Sequence, residues 1–165
     1  MQRIGWWSIL LILLLCPACG YQLTAQQPLA LPQDSTRLFL SKVSDPTTET
    51  WLEPMLRSSL RDELTRRGKV TWVDQDEAQA LVTIDVRQYS FGTAVEGRDS
   101  TTVKSSAQIH LVVSFYNAQN NAMIWTSGPI MASESFRGAE NKQAATQRAV
   151  ILAMRMVADR MSYTF

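Results

Sequence analysis

The sequence predicts an α+β fold. It is a two-layer sandwich in which a mixed sheet of four to five strands carries two helices on one face, in the order β-α-β-β-β-β-α. Three observations predict it. Two long stretches repeat apolar residues at helical spacing. Shorter stretches around them alternate apolar and polar residues, as strands with one buried face do. The later strands are joined by short turns and so run antiparallel. The first two flank a helix, which implies a right-handed crossover and a parallel pair.

Each element has its own signal. Arg37 to Val43 alternates, with Leu38 and Leu40 on one face. Ser44 to Thr50 is a turn. Thr50-Trp51-Leu52-Glu53 has the spacing of a capping box, and Pro54 is tolerated in the first turn. The helix runs to about Arg67 with Leu52, Leu56, Leu60 and Leu64 as its stripe. Arg66 and Arg67 suit its negative end, and Gly68 suits the position after it. Lys69 to Asp74 forms a second strand. Leu81 to Phe91 forms a third, with Val82, Ile84 and Val86 facing inward. Val103 to Tyr116 forms a fourth, with Ala107, Ile109, Leu111, Val113 and Phe115 on one face. After the turn Asn117 to Asn121, Ala122 to Thr126 opens a fifth strand, which resumes beyond Gly128-Pro129 and reaches Phe136. Asn141 to Met161 is the last helix, with Val150, Met154, Val157 and Met161 at its centre. The sheet face away from the helices holds Thr83, Asp85, Arg87, Tyr89, Gln108, His110 and Tyr116. It is too polar for a second core, so it faces water or a polar partner.

The chain has 165 residues, is 45% apolar and carries a net charge of +1. That composition excludes a disordered tail. The charge balance argues against a nucleic-acid binder. The averages also mix two unlike pieces. Ile4 to Leu15 is almost wholly apolar and follows Arg3. At about 18 Å it is too short for a bilayer core of about 30 Å, but it suits a signal peptide. Pro17-Ala18-Cys19-Gly20 then places a small residue before a cysteine, which resembles the lipobox of bacterial lipoproteins. Residues 1–18 are thus expected to be a lipoprotein signal peptide. Cys19 is expected to be the lipid anchor, bearing an N-acyl chain and an S-diacylglycerol. Residues 19–36 form an extended tether, and residues 37–165 form one domain. Cys16 and Cys19 also form a C-x-x-C. A redox or zinc use is disfavoured, because both cysteines follow a leader and no second pair exists. Removing the leader leaves 147 residues with zero net charge.

Catalytic chemistry is poorly supported. His110 is the sole histidine and falls mid-strand, and neither G-x-S-x-G nor H-E-x-x-H occurs. No metal site and no non-covalent cofactor are expected. Gly92 to Asp99 has the glycine spacing of a P-loop but lacks its Lys-Ser/Thr, so it reads as a hairpin tip. Arg87, Arg98 and Lys104 lie on or beside that hairpin and are candidates for phosphate contact, since Arg forks bind phosphate in bidentate fashion. Tyr89, Phe91 and Tyr116 are placed near one end of the polar face. Interface anchoring and ordinary cross-strand pairing explain them equally well.

Several segments together resemble one family. Cys19-Gly20-Tyr21-Gln22-Leu23 matches its opening. Leu52-Glu53-Pro54 through Arg66-Arg67-Gly68 matches its first helix. Asp76 to Val86, Asn121 to Thr126 and the last helix match its later elements. The family is the lipopolysaccharide-assembly lipoproteins, or LptE family. The resemblance implies a non-enzymatic protein, lipid-anchored in the outer membrane, with its domain on the periplasmic side or within a barrel lumen. Its implied partners are an LptD-like outer-membrane β-barrel and lipopolysaccharide, and its implied role is plug, scaffold and lipopolysaccharide-binding subunit. Gly20 after the cysteine suits the outer membrane. The alternative is a periplasm-facing lipoprotein that binds a small lipid or serves as an accessory subunit of an envelope transporter.

Overall fold

A computed structural model describes residues 29, 31–95 and 104–163. The expected leader, the anchor Cys19, most of the tether and Arg98 lie outside the described residues. The elements are β1 (Arg37–Ser44), α1 (Leu52–Arg67), β2 (Thr71–Trp72), β3 (Ala80–Val95), β4 (Lys104–Asn117), β5 (Met123–Thr126), β6 (Ile130–Phe136) and α2 (Lys142–Tyr163). The sheet order is β2-β1-β3-β4-β5, with β6 also paired to β4. β1 runs parallel to β2 and β3, and the remaining pairs are antiparallel. The two-layer α+β sandwich is therefore the observed fold.

The sheet has six strands because the expected fifth strand is two. Gly128, at φ +61°, and Pro129 break it. β5 then pairs with the Asn117 end of β4, and β6 pairs with Ser105 to Leu111 at the other end. The sheet thus has two halves. In the lower half, near Ala80 and Asn117, β2, β1, β3, β4 and β5 lie side by side. In the upper half only β3, β4 and β6 continue, because β1 ends opposite Asp85.

Both helices cover one face. Leu52, Leu56, Leu60 and Leu64 of α1 are fully buried, as are Val150, Val157 and Met161 of α2. They pack on Leu38, Val82, Ile84, Ile109, Leu111, Val113 and Phe115 of the sheet. Each such side chain contributes roughly 1.5–3 kcal/mol on burial. The capping box does not form. No side chain caps α1: the Glu53 carboxylate instead accepts from Arg57 one turn on, and the Glu49 carboxylate accepts from the Trp51 indole.

The two helices are joined by a buried ion cluster. Arg67, with 4% of its side chain exposed, lies 2.6 Å from Glu63 and bonds Asp159 of α2. Burial opposes its charge, but the bond to Asp159 and the attraction of Glu63 outweigh that and raise its pKa. A raised folded-state value means the contribution is complete at physiological pH and is lost only in strong base. The Arg67 carbonyl also accepts from the amide of Leu29, which ties the tether to the end of α1. Removing Arg67 leaves the buried Glu63 with only the half-exposed Arg66, 2.6 Å away, and breaking a buried pair is costly. Arg67→Ala should therefore cost about 3 kcal/mol in denaturant unfolding. Arg57→Ala, in a half-exposed pair, should cost about 1 kcal/mol or less.

Candidate functional site

The helices leave the opposite face of the sheet open, and that face is the candidate site. Its composition follows from strand alternation and from one irregularity. In β3, Val86 pairs with Leu111 and Gln88 pairs with His110, so Arg87 is an extra residue with no partner in β4. Such a bulge reverses which side chains point to which face. Below it, Leu81, Thr83 and Asp85 lie on the open face. Above it, Gln88, Ser90 and Gly92 do.

The lower open face carries an apolar row. Phe39, Leu81, Tyr116 and Met123 align across β1, β3, β4 and β5. The first three are half-buried, and Met123 is 57% exposed. The chain enters beside this row: Asn117, next to Tyr116, donates its side-chain amide to Gln33 at 3.4 Å. The upper open face differs. Gln88, Ser90 and Gly92 pair with His110, Gln108 and Ser106, which pair in turn with Met131, Ser133 and Ser135. Not one of these nine is Asp, Glu, Lys or Arg. Their side chains bond one another: Gln108 donates to Ser106 at 3.1 Å and Gln88 to Ser90 at 3.4 Å. A Cβ at Gly92 would lie in ordinary contact with the Gln108 amide nitrogen, 3.4 Å away.

The same bulge corrects the expected placement of two aromatic residues. Tyr89 and Phe91 do not share a face with Tyr116. They pair with Ile109 and Ala107 and point toward the helices. Trp51, Tyr89, Phe91 and Phe136 form an edge-to-face series, with successive centroids 6.3, 5.0 and 6.1 Å apart. The Tyr89 hydroxyl shares a 3.0 Å hydrogen bond with that of Thr146, and the Lys142 ammonium lies 4.0 Å from the Phe91 centroid. These contacts hold the hairpin to α2. Thr146 and Lys142 went unnoticed in the sequence because they are polar, although they continue the line of Val150 and Met154 by one and two further turns, and Thr146 is fully buried. Of the three aromatics, only Tyr116 stands on the open face.

Of the candidate cations, Arg98 lies outside the described residues, and the two described ones, Arg87 and Lys104, lie apart. Arg87 is 66% exposed but pairs with Asp85 at 2.8 Å. Lys104 pairs with Val95 at the far end of the described hairpin. Six residues of β4 separate it from His110, a rise of roughly 20 Å. His110 lies on the open face between Gln88 and Met131. Among the described residues no group of His, Cys, Asp and Glu has the geometry to hold a metal ion, and no helix is long and apolar enough to cross a membrane.

Comparison with known proteins decides the family. Residues 36–162 match the family model described as "LptE: Lipopolysaccharide-assembly". This chain belongs to the LptE family. It is therefore a lipoprotein-type protein of lipopolysaccharide assembly, consistent with an outer-membrane setting. No curated protein matches the LptE-family chain. Its fold is shared with solved lipoproteins of low identity. The minor lipoprotein of Acinetobacter baumannii is 14% identical, with 82% of this chain and 93% of that one covered and a TM-score of 0.53. Lipoprotein B of Nitrosomonas europaea is 12% identical, with 85% and 88% covered and a TM-score of 0.52. At such identities the likeness establishes the fold alone.

The Tyr89 site yields a pH prediction. Burial, with help from Glu49 and Asp45, raises the Tyr89 pKa above its ordinary 10.0, against the Thr146 bond. A raised value gives stability that is complete below pH 10.0 and falls as pH rises beyond it, because the unfolded chain ionises first. Unfolding measured from pH 8 to 11 should show a smaller alkaline loss in Tyr89→Phe than in the parent. At neutral pH the variant should be weaker by about 1 kcal/mol, one hydrogen bond.

Proposed function

We propose that this chain is anchored in the outer membrane by lipid on Cys19 and docks its open sheet face within the lumen of an LptD-like β-barrel. There it acts as plug and scaffold while lipopolysaccharide passes to the outer leaflet. The observation that carries this reading is the open face itself. It is broad, uncharged across Gln88, Ser90, Gly92 and their partners in β4 and β6, with Lys104 only at its far end, and bordered below by the row Phe39, Leu81, Tyr116 and Met123. Barrel lumens are polar, and a hydroxyl- and amide-rich surface fits such a wall without burying a charge. The exposed apolar row supplies the packing that a polar surface lacks. The role is one of binding, and no step of bond chemistry is assigned to His110 or any other residue. The hairpin supports the lipopolysaccharide part of the reading. Arg87, Arg98 and Lys104 serve as contacts to the phosphates of lipopolysaccharide.

Tagged full-length protein should copurify an outer-membrane β-barrel. Gln108→Glu, which places a charge in the neutral face, should reduce the recovered barrel about tenfold, a loss of about 1.4 kcal/mol. Recovery of inner-membrane transporter subunits alone would instead favour an accessory role in transport. Charge reversal at Arg87, Arg98 and Lys104 together should weaken lipopolysaccharide binding by the full-length protein. Unchanged binding would remove the phosphate contacts from the proposal.

A further inference from the structure

The upper half of the sheet ends in two strand edges. Among the described residues, β3 has no strand on its β1 side beyond Asp85, and β6 pairs only with β4. An open edge is a template for another strand, and folded proteins usually blunt it with a bulge, a charge or a proline. The β3 edge is blunted in this way: it begins at the bulge and carries the exposed Arg87–Asp85 pair. The β6 edge is not. Its seven residues, Ile130-Met131-Ala132-Ser133-Glu134-Ser135-Phe136, pair with β4 without any register shift. It has no lysine, no internal proline and no bulge. Among the described residues no other strand lies beyond it.

We propose that β6 is a homotypic pairing edge, through which two copies of this chain join by antiparallel strand addition. The register follows from the sequence. Antiparallel pairing of a strand with its own copy places one residue opposite itself on the two-fold axis. Centring on Glu134 would set two carboxylates face to face, which is unfavourable. Centring on Ser133 pairs all seven residues and opposes no like charges. On the open face Met131 then meets Ser135 of the second copy and Ser133 meets Ser133. On the helix face Ile130 meets Phe136 and Ala132 meets Glu134. Pairing covers Met131, which is 61% exposed in the single chain. Arg148 lies 3.8 Å from Glu134 and offsets its charge beside the seam. The upper sheet would continue as β3-β4-β6-β6-β4-β3 with all four helices on one side. This inference does not rest on the barrel reading and describes the chain outside any barrel.

Directly opposed residues of antiparallel strands have Cα atoms about 4.5–5.5 Å apart, within the range a disulfide spans. Full-length protein in detergent carrying Ser133→Cys should therefore form a covalent dimer under mild oxidation, with the link mapped to residue 133 by mass spectrometry. Ser90→Cys, on the opposite edge of the same face, should stay unlinked. Ser133→Lys sets two ammonium groups on the axis and should weaken self-association at least tenfold by sedimentation. Both residues are surface positions, so the fold should survive. No link at residue 133, equal linking at residues 90 and 133, or self-association unchanged by Ser133→Lys would each overturn the proposal.

Discussion

The single extra residue at Arg87 decides how the upper half of this molecule is sorted. β3 and β4 form the longest ladder in the sheet, from Ala80–Asn117 to Val95–Lys104. Every other strand except β2 attaches to one of the two. Without the bulge, Tyr89 and Phe91 would lie beside Thr83 and Asp85 on the open face, and Gln88 and Ser90 would point at α2. With it, the aromatics meet Trp51, Phe136, Thr146 and Lys142, and the neutral side chains meet solvent. One inserted residue thus closes the helix side of the hairpin and defines the opposite surface.

This division links fold to function. The helix side buries a leucine stripe against an apolar sheet face and carries the Arg67–Glu63–Asp159 cluster, with a groove between the helices lined by Met55, Ser59, Asp62 and Ile151. The open side has no covering layer among the described residues. Its apolar row near Met123 and its largely uncharged upper surface are the features on which the proposed docking rests. Membership in the LptE family places the chain in lipopolysaccharide assembly, and the two-faced sheet is the physical feature that suits it to docking there. The unblunted β6 edge is a separate property of the same upper sheet.

Much of the fold was legible in the sequence, because its signals are local and periodic. Leu52, Leu56, Leu60 and Leu64 announce α1 and its buried side, and Val82, Ile84 and Val86 do the same for lower β3. What was missed depended on non-local partners or on a break in period. Glu63 resembles a surface residue of α1 until Asp159, far along the chain, completes the cluster with Arg67. The capping box at Thr50 failed because its Glu53 had a better partner in Arg57. The bulge did leave a trace: apart from Leu81, apolar residues of β3 fall on even positions through Val86 and on odd positions at Tyr89 and Phe91. Read as a change of phase, that pattern places the extra residue and moves both aromatics to the helix side.

The most direct test of this sorting is the thiol-labelling rate of single cysteines placed in turn at Thr83, Ile84, Asp85, Gln88, Tyr89 and Ser90 in the full-length protein, with each site identified by mass spectrometry. Positions 83, 85, 88 and 90 should react quickly, and positions 84 and 89 should be slower by about tenfold or more, tracking the local opening needed to expose them. Fast labelling at position 89 with protection at positions 88 and 90 would contradict the bulge. It would also dissolve the neutral face on which the proposed docking depends.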